Sequence, residues 1–309
     1  MMLLLVTYCW KLHVMVYKSN MFGIIIIGTI KTVNQYAFSG EITKTVNIYT
    51  FGTSTTRVQR RYTYDHAGRP LRLYHQLNSA TEVMLSEITY NELGQAYRSK
   101  HHSRNNGSTF MYQSITDFTV QGWMKKSQYQ FSNGNNVFTQ ELAYQNAMGS
   151  GNAGRFDGLI SANRWKHGTT AAEEVYNYGY DVPKRLTQST FLQKNNGTTT
   201  WTANNFYTES GIQYDNNGNI KALVRNQPIN STATQTDNIA YAYSGNQLTS
   251  VTDNAPAANK ALGFNDGNAS GTDFIYNENG DIKVDKNKAI TGITYNKLNL
   301  PQRIQSNTI

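Results

Sequence analysis

The sequence predicts an all-β chain built from repeated hairpins laid side by side in a solenoid-like or open sheet. Three observations predict it. A short phrase keeps returning: an aromatic residue, Asp or Asn, two variable residues, Gly, a polar residue and an apolar one. Apolar and polar residues alternate on either side of that phrase, the period of a strand. Helical periodicity is almost absent, and the best helix candidate, Thr170-Ala171-Ala172-Glu173-Glu174-Val175, is short.

Four copies are clearest: Tyr64-Asp65-His66-Ala67-Gly68-Arg69, Tyr90-Asn91-Glu92-Leu93-Gly94-Gln95, Tyr214-Asp215-Asn216-Asn217-Gly218-Asn219 and Tyr276-Asn277-Glu278-Asn279-Gly280-Asp281. Around the third, Ile212 and Tyr214 lie one polar residue apart, and Ile220, Ala222 and Val224 alternate after the turn. Asp or Asn bonds its own backbone at a turn start, and Gly accepts the left-handed conformation that ends it. The pattern predicts a hairpin closed by a type I turn with a Gly bulge. Tyr has high β propensity and a polar tip that seeks solvent or a backbone partner.

Weaker copies fill the rest. Tyr180-Asp181-Val182-Pro183-Lys184 has Lys184 where Gly is expected. Tyr243-Ser244-Gly245-Asn246 has a shorter turn, and Tyr295-Asn296-Lys297-Leu298-Asn299 replaces Gly with Asn. Phe118-Thr119-Val120-Gln121-Gly122 and Phe156-Asp157-Gly158 read as degenerate members, with Phe118 and Phe156 as their aromatics. Steps between successive aromatics run from 19 to 38 residues, so the units share a hairpin and differ in loop length. Two strands per unit give about 18 strands. In this reading Tyr64, Tyr90, Tyr180, Tyr214, Tyr243, Tyr276 and Tyr295 anchor the hairpins. Asp65, Asn91, Asp181, Asp215 and Asn277 open the turns, and Gly68, Gly94, Gly218 and Gly280 shape them. These are structural positions, not catalytic ones.

The 309 residues divide into an atypical apolar segment, 1–40, and a repeat domain, 41–309. Hydrophobic residues make up 39% of the chain, low for a globule, so burial rests on its 21 tyrosines with Phe and Ile. The net charge is +8, but Lys and Arg are scattered and no recognition motif accompanies them, which argues against nucleic acid. The single cysteine, Cys9, allows no disulfide within the chain. Asn-X-Ser/Thr triplets at Asn106, Asn196, Asn230 and Asn268 matter only in a eukaryotic secretory pathway. In the first forty residues two apolar runs, Met1–Val6 and Phe22–Gly28, fall short of the ~20 residues of a membrane helix. Three readings of this stretch stand side by side: an export or anchor segment, ordinary buried strands, or a stretch foreign to the fold. Membrane contact, if any, would run through it.

No catalytic or cofactor motif accompanies the repeats, and the expectation is a non-enzyme without cofactor or metal. His101-His102 lies in a polar loop, and His13, His66, His75 and His167 lack ligand spacing. Asp215-Asn217-Asn219 and Asn277-Asn279-Asp281 offer oxygens at alternate positions, yet lack the Gly and closing Glu of a calcium loop. Trp123, Trp165 and Trp201 either stack on sugars or pack in the core.

The phrases at 62–69, 88–95 and 212–220 resemble the YD repeats of the RHS (rearrangement hotspot) family. Val120-Gln121-Gly122-Trp123, Phe156-Asp157-Gly158-Leu159-Ile160 and Tyr295–Pro301 are similar to the variety common in Bacteroidetes. The resemblance covers roughly residues 56–304. It implies hairpins wound into a spiral sheet that closes as a hollow shell, in large proteins that are secreted or displayed on the bacterial surface. Many such proteins hold a variable toxin inside the shell, and relatives serve interbacterial competition, insecticidal toxin complexes and adhesion. One departure is plain. None of the five prolines, Pro70, Pro183, Pro228, Pro256 and Pro301, follows an Asp, so the family's Asp-Pro core and self-cleavage carboxylates have no counterpart here. The expectation is a section of shell wall from a polymorphic toxin or surface protein, or a truncated gene product with an open sheet edge. Its partners would be the remainder of a larger RHS protein or an enclosed toxin domain. The alternative is a surface adhesin or carbohydrate-binding module whose partner is a cell-surface glycan.

Overall fold

The structure is a computed structural model and describes residues 9–21, 24–103, 105–145, 148, 154–169, 171–268 and 270–307. Residues 1–8 and 22–23 of the N-terminal stretch, and Thr170 of the helix candidate, lie outside the described residues. The chain forms two compact units. One runs to Glu141 and includes His167–Thr169; the other takes Leu142–Lys166 and continues from residue 170.

The first unit is an antiparallel meander of β1 (Cys9–Met21), β2 (Ile24–Tyr36), β3 (Ile42–Phe51), β4 (Ser54–Tyr64), β5 (Pro70–Leu77), β6 (Val83–Tyr90), β7 (Ala96–Ser103), β8 (Tyr112–Phe118), β9 (Met124–Phe131) and β10 (Asn136–Ala143), whose last residues cross the unit boundary. Each strand pairs with the next. In the second unit the same order holds for β11 (Ala162–His167), β12 (Glu173–Tyr180), β13 (Leu186–Lys194), β14 (Glu209–Tyr214), β15 (Ile220–Ile229), β16 (Thr232–Ser244) and β17 (Gln247–Asp253). A smaller sheet follows, with β18 (Phe274–Tyr276), β19 (Ile282–Asp285), β20 (Ile290–Tyr295) and β21 (Pro301–Ser306) paired in sequence. The described strands number 21, more than the repeat count suggests.

Among the described residues the only helical turns are the 3-10 segments Lys260–Leu262 and Lys286–Lys288, and no helix is long and apolar enough to cross a membrane. The helix candidate is a correction. Glu173–Val175 open β12, where Val175 is fully buried opposite Leu192. Packing of one β-branched side chain overrides the helix propensity of the Ala-Glu run beside it.

Neighbouring antiparallel strands reverse direction. Every turn that leaves an even-numbered strand therefore falls on one edge of its sheet, and the other connections fall on the opposite edge. The repeated phrase occupies the first of these edges in both units, which we term the repeat edge. Burial away from it is thin. Tyr74, Met84 and Phe110 form a small cluster in the first unit. Ala143, Ala162, Val175 and Leu192 form another in the second, with Met148 and Trp201 packed against it.

The turns take the backbone that the phrase predicts. Gly218 has φ 89°. A Cβ there would meet nothing within 4 Å, so the left-handed backbone alone selects glycine. Lys184 and Asn299, where Gly is missing, adopt the same region at φ 71° and 56°. Lys184 thus carries strain that glycine would not. Gly218→Ala is expected to cost about 1 kcal/mol. Lys184→Gly is expected to gain about 0.5 kcal/mol, the strain relieved less the greater chain entropy of glycine. Urea unfolding midpoints of the two variants should move in opposite directions.

Candidate functional site

The repeat edge gathers the residues singled out in the sequence, and the Asp215 turn shows how. The Asp215 N–H donates to the Asn219 carbonyl (2.9 Å), and the Gly218 N–H donates to the Asp215 carbonyl (3.2 Å). Carboxylate oxygen Oδ1 accepts the N–H groups of Asn217 and Asn219, and Oδ2 accepts Asn219 Nδ2. Both carboxylate oxygens of Asp215, the first residue of the calcium-like triplet, therefore accept hydrogen bonds from their own turn. Asp65, Asn91 and Asn277 repeat the pattern. Asp181, with Lys184 in the glycine place, accepts the Arg185 backbone N–H alone, since Pro183 at the third position has none to give.

In five turns the first and fifth residues are matched as donor and acceptor. The carboxylates Asp65, Asp181 and Asp215 face the donors Arg69 (2.7 Å), Arg185 (2.7 Å) and Asn219 (2.8 Å). The amides Asn91 and Asn277 face the acceptors Gln95 (2.9 Å) and Asp281 (3.0 Å). These contacts shift titration. The Arg69 backbone N–H holds Asp65 below its ordinary value, and the Asn219 side chain does the same for Asp215. Asp157, bonded by the Arg155 guanidinium, is lowered to about 2.

The tyrosines reach backward. Each hydroxyl donates to a carbonyl at or beside the start of the return strand in the preceding hairpin: Tyr64 to Ile42 (2.7 Å), Tyr90 to Pro70 (2.9 Å), Tyr180 to Ile160 (2.7 Å), Tyr214 to Leu186 (2.7 Å), Tyr243 to Ile220 (2.9 Å), Tyr276 to Leu248 (2.8 Å) and Tyr295 to Ile282 (2.7 Å). Desolvation pushes the Tyr64, Tyr180, Tyr243 and Tyr276 phenols up, so they are protonated donors at neutral pH. The fifth turn residue reaches forward. Arg69 lies 4.4 Å over the Tyr90 ring, and Arg185 lies 4.4 Å over Tyr214 while bonding the Asp215 carbonyl. Gln95 Nε2 donates to the Gly122 carbonyl, and Asn219 Nδ2 to Asn246 Oδ1.

Two features of this edge escaped the sequence reading. The turn after β2 has the same geometry, with the Ala37 N–H on the Glu41 carbonyl and Gly40 at φ 100°. Ala37 offers no side-chain acceptor, which hid it; the spacing Tyr36 to Gly40 was the available signal. Phe156 is a correction. It sits 84% exposed in the segment between β10 and β11, at the end of no strand, and so anchors no hairpin.

The opposite edge holds different chemistry. In the second unit Asp237, Asp253 and Asp273 are buried. They accept backbone N–H groups of Phe264, of Asn238 and Ala255, and of Val251. They tie down the long connection between β17 and β18. Oδ2 of Asp253 has no partner, but among the described residues no three acidic, His or Cys side chains are arranged to hold a metal. In the first unit cross-strand pairs place His101, Tyr112 and Phe131 in one row, with Tyr129 opposite Phe138 on the same face. His101 stacks on Tyr112 at 5.0 Å, and Phe138 meets His167 at 5.0 Å. Tyr112, Tyr129 and Phe131 are 43%, 45% and 54% exposed. Trp165 packs on Tyr176 and Phe191, Trp201 packs on the second core cluster, and Trp123 is half-buried.

No family model matches the chain, and no curated protein matches it by sequence. Among solved structures it is similar to a porin-like protein from Bacteroides uniformis, at 9% identity and a TM-score of 0.28, covering 74% of this chain and 95% of that one. It is also similar to a chain of the TcdB2-TccC3-Cdc42 complex, at 13% identity and a TM-score of 0.37 over 90% of this chain. A chain of TcdB2-TccC3 without its hypervariable C-terminal region gives 10% identity and a TM-score of 0.21 over 90% of this chain. The chain spans 16% and 18% of the length of those two complex chains.

Tyr214→Phe removes one hydroxyl and leaves the Leu186 carbonyl without it, at an expected cost of about 1 kcal/mol. Amide exchange at the start of β13 should quicken with the loss. The Asp turns add a pH dependence. Lowered folded-state values mean that their stabilisation is fully present above the ordinary Asp value of 3.8 and is lost as the pH falls through the folded value. The variant carrying Asp65→Asn and Asp215→Asn should therefore show a shallower fall in urea midpoint between pH 5 and pH 2 than the parent.

Proposed function

We propose that the chain is a non-enzymatic wall segment of the RHS type, part of an encapsulating shell of a polymorphic toxin or cell-surface protein that is secreted or displayed on bacteria. One observation carries the reading: the seven hydroxyl-to-carbonyl bonds that join seven hairpins each to the one before it. A globule is held by a deep core. Here the clusters are small, and stability comes from nearest-neighbour contacts between repeats, as in quasi-one-dimensional proteins. Such a sheet extends without a fixed end and suits a wall. The remainder of a larger RHS protein, or a toxin domain held inside it, is the partner this role calls for.

The test is the DNA beside the coding region. A reading frame that continues past Ile309 into further repeats, an Asp-Pro core and a variable tail supports the wall reading. The full-length product should then shield that tail from protease. A stop codon flanked by unrelated genes overturns it.

The exposed row of Tyr112, Tyr129 and Phe131 favours a second reading, an adhesin module. Uncharged aromatic faces stack on sugar rings, and this row lies on an open strand surface. A glycan array probed with the chain and with its Tyr112→Ala variant tests it: binding that the variant loses supports adhesion, and no binding by the parent removes it.

A further inference from the structure

We propose that Asn196 is a site of spontaneous deamidation, in which the backbone nitrogen of Gly197 attacks the Asn196 side-chain amide and Lys166 steadies the charge that forms on its oxygen. The sequence holds five Asn-Gly pairs, beginning at Asn106, Asn133, Asn196, Asn217 and Asn279. Glycine after asparagine leaves the attacking nitrogen unshielded, so all five share an intrinsic reactivity. The fold sets them apart. The Gly107 N–H donates to Ser103 Oγ (2.9 Å). Those of Gly134, Gly218 and Gly280 donate to the carbonyls of Phe131 (2.9 Å), Asp215 (3.2 Å) and Asn277 (3.0 Å). A nitrogen whose proton is held in this way must give up the bond before it can attack. The Gly197 N–H has no acceptor among the described residues, and both Asn196 and Gly197 are exposed. The local turn explains the difference. The Asn195 carbonyl is taken by Thr198, through its N–H (3.1 Å) and its hydroxyl (2.8 Å), and Gly197 is passed over.

The electrophile is prepared as well. Lys166 Nζ donates to Asn196 Oδ1 at 3.3 Å. Lys166 is fixed on β11 opposite Glu173 of β12, whose carboxylate lies 3.9 Å away. The loop that carries Asn196 is closed at its base, where Gln193 and Thr202 exchange backbone hydrogen bonds of 3.0 and 2.8 Å. An ammonium held on an amide oxygen draws electrons from the carbonyl carbon and stabilises the oxyanion formed on attack. The Gly197 nitrogen loses its proton to hydroxide and bonds to Asn196 Cγ. The Cγ–Nδ2 bond then breaks, and ammonia leaves with a proton taken from water. Water opens the resulting cyclic imide at either carbonyl, giving aspartate or isoaspartate, and nothing is oxidised or reduced. The product carboxylate forms beside Lys166. A hydrogen bond to a neutral amide thus becomes an ion pair that ties the connection between β13 and β14 to β11.

The test is to incubate the full chain in mildly alkaline buffer, digest samples over time and follow all five pairs by mass spectrometry, with aspartate and isoaspartate separated. Asn196 is expected to convert about 5-fold faster than Asn106, Asn133, Asn217 and Asn279, the ratio set by one net hydrogen bond, and to yield isoaspartate. In concentrated urea the five should convert at similar rates, because only the fold distinguishes them. Lys166→Met is expected to slow Asn196 about 5-fold and leave the other four unchanged, and Lys166→Arg to restore the parent rate. Conversion of Asn196 no faster than the others in the folded chain, or still faster in urea, overturns the proposal. So does an unchanged rate in a folded Lys166→Met chain. Aspartate without isoaspartate overturns it too, since that marks direct attack by water. A cross-link between Lys166 and Asn196 does the same, since it makes the lysine the nucleophile. If Lys166→Met unfolds the chain, the four guarded pairs accelerate together, and the ranking in the parent, with and without urea, decides.

Discussion

A hydrogen bond from a tyrosine hydroxyl to a carbonyl at the start of the preceding return strand, or beside it, is the constraint on which the rest of the structure depends. At that carbonyl the ladder to the next strand has not yet begun, so only water or a side chain can satisfy it. The phenol does so while laying its ring along the repeat edge. Each bond is worth about 1 kcal/mol, which is small alone. Its larger effect is on register. A one-residue slip between neighbouring strands turns every side chain to the other face and carries the tyrosine away from its acceptor. In sheets with little buried apolar surface, this pin does what core packing does in a globule.

The pin works only if the turn has one shape. Asp or Asn at the first position holds the turn from within, and the fifth residue is chosen to complement it. A carboxylate takes Arg69, Arg185 or Asn219 as donor, and an amide takes Gln95 or Asp281 as acceptor. Bonded in this way, the fifth residue is aimed at the next hairpin. There Arg69 and Arg185 cover the rings of Tyr90 and Tyr214. Turn chemistry and tyrosine position are therefore one linked device: the turn fixes the fifth residue, and the fifth residue helps to fix the next tyrosine.

The hairpins were legible because their signals are local. An aromatic, a side-chain acceptor and a glycine within five residues suffice to mark a turn. Where one signal was missing or imitated, the reading failed. Ala37 lacks an acceptor, so the Tyr36 turn was hidden, while Phe156-Asp157-Gly158 imitates the phrase with an aromatic that stands exposed outside any strand. The tyrosine's partner was not legible at all, because every residue has a carbonyl and only the fold brings a given one within reach. The buried aspartates were hidden for a similar reason. In sequence Asp237, Asp253 and Asp273 look like surface residues, and their burial depends on a long connection whose N–H groups they satisfy.

The loose repeat spacing has a physical source in the difference between the two edges. At the repeat edge most turns have five residues, with the connection between β10 and β11, residues 144–161, as the long exception; the Ser244 turn, one residue shorter, moves its acceptor to Leu248 accordingly. That connection apart, variation in step length collects on the opposite edge. The connection between β13 and β14 spans residues 195–208, and that between β17 and β18 spans 254–273, whereas β15 and β16 are joined by Asn230 and Ser231 alone. The chemistry that differs between the units collects there too: the exposed aromatic row around Tyr112 and Phe131 in one, the buried aspartates in the other. Insertions at an edge that carries no register pin cost only loop-closure entropy, which grows slowly with length. The fold thus fixes one rim by side-chain chemistry and leaves the other free to acquire whatever contacts a particular chain requires.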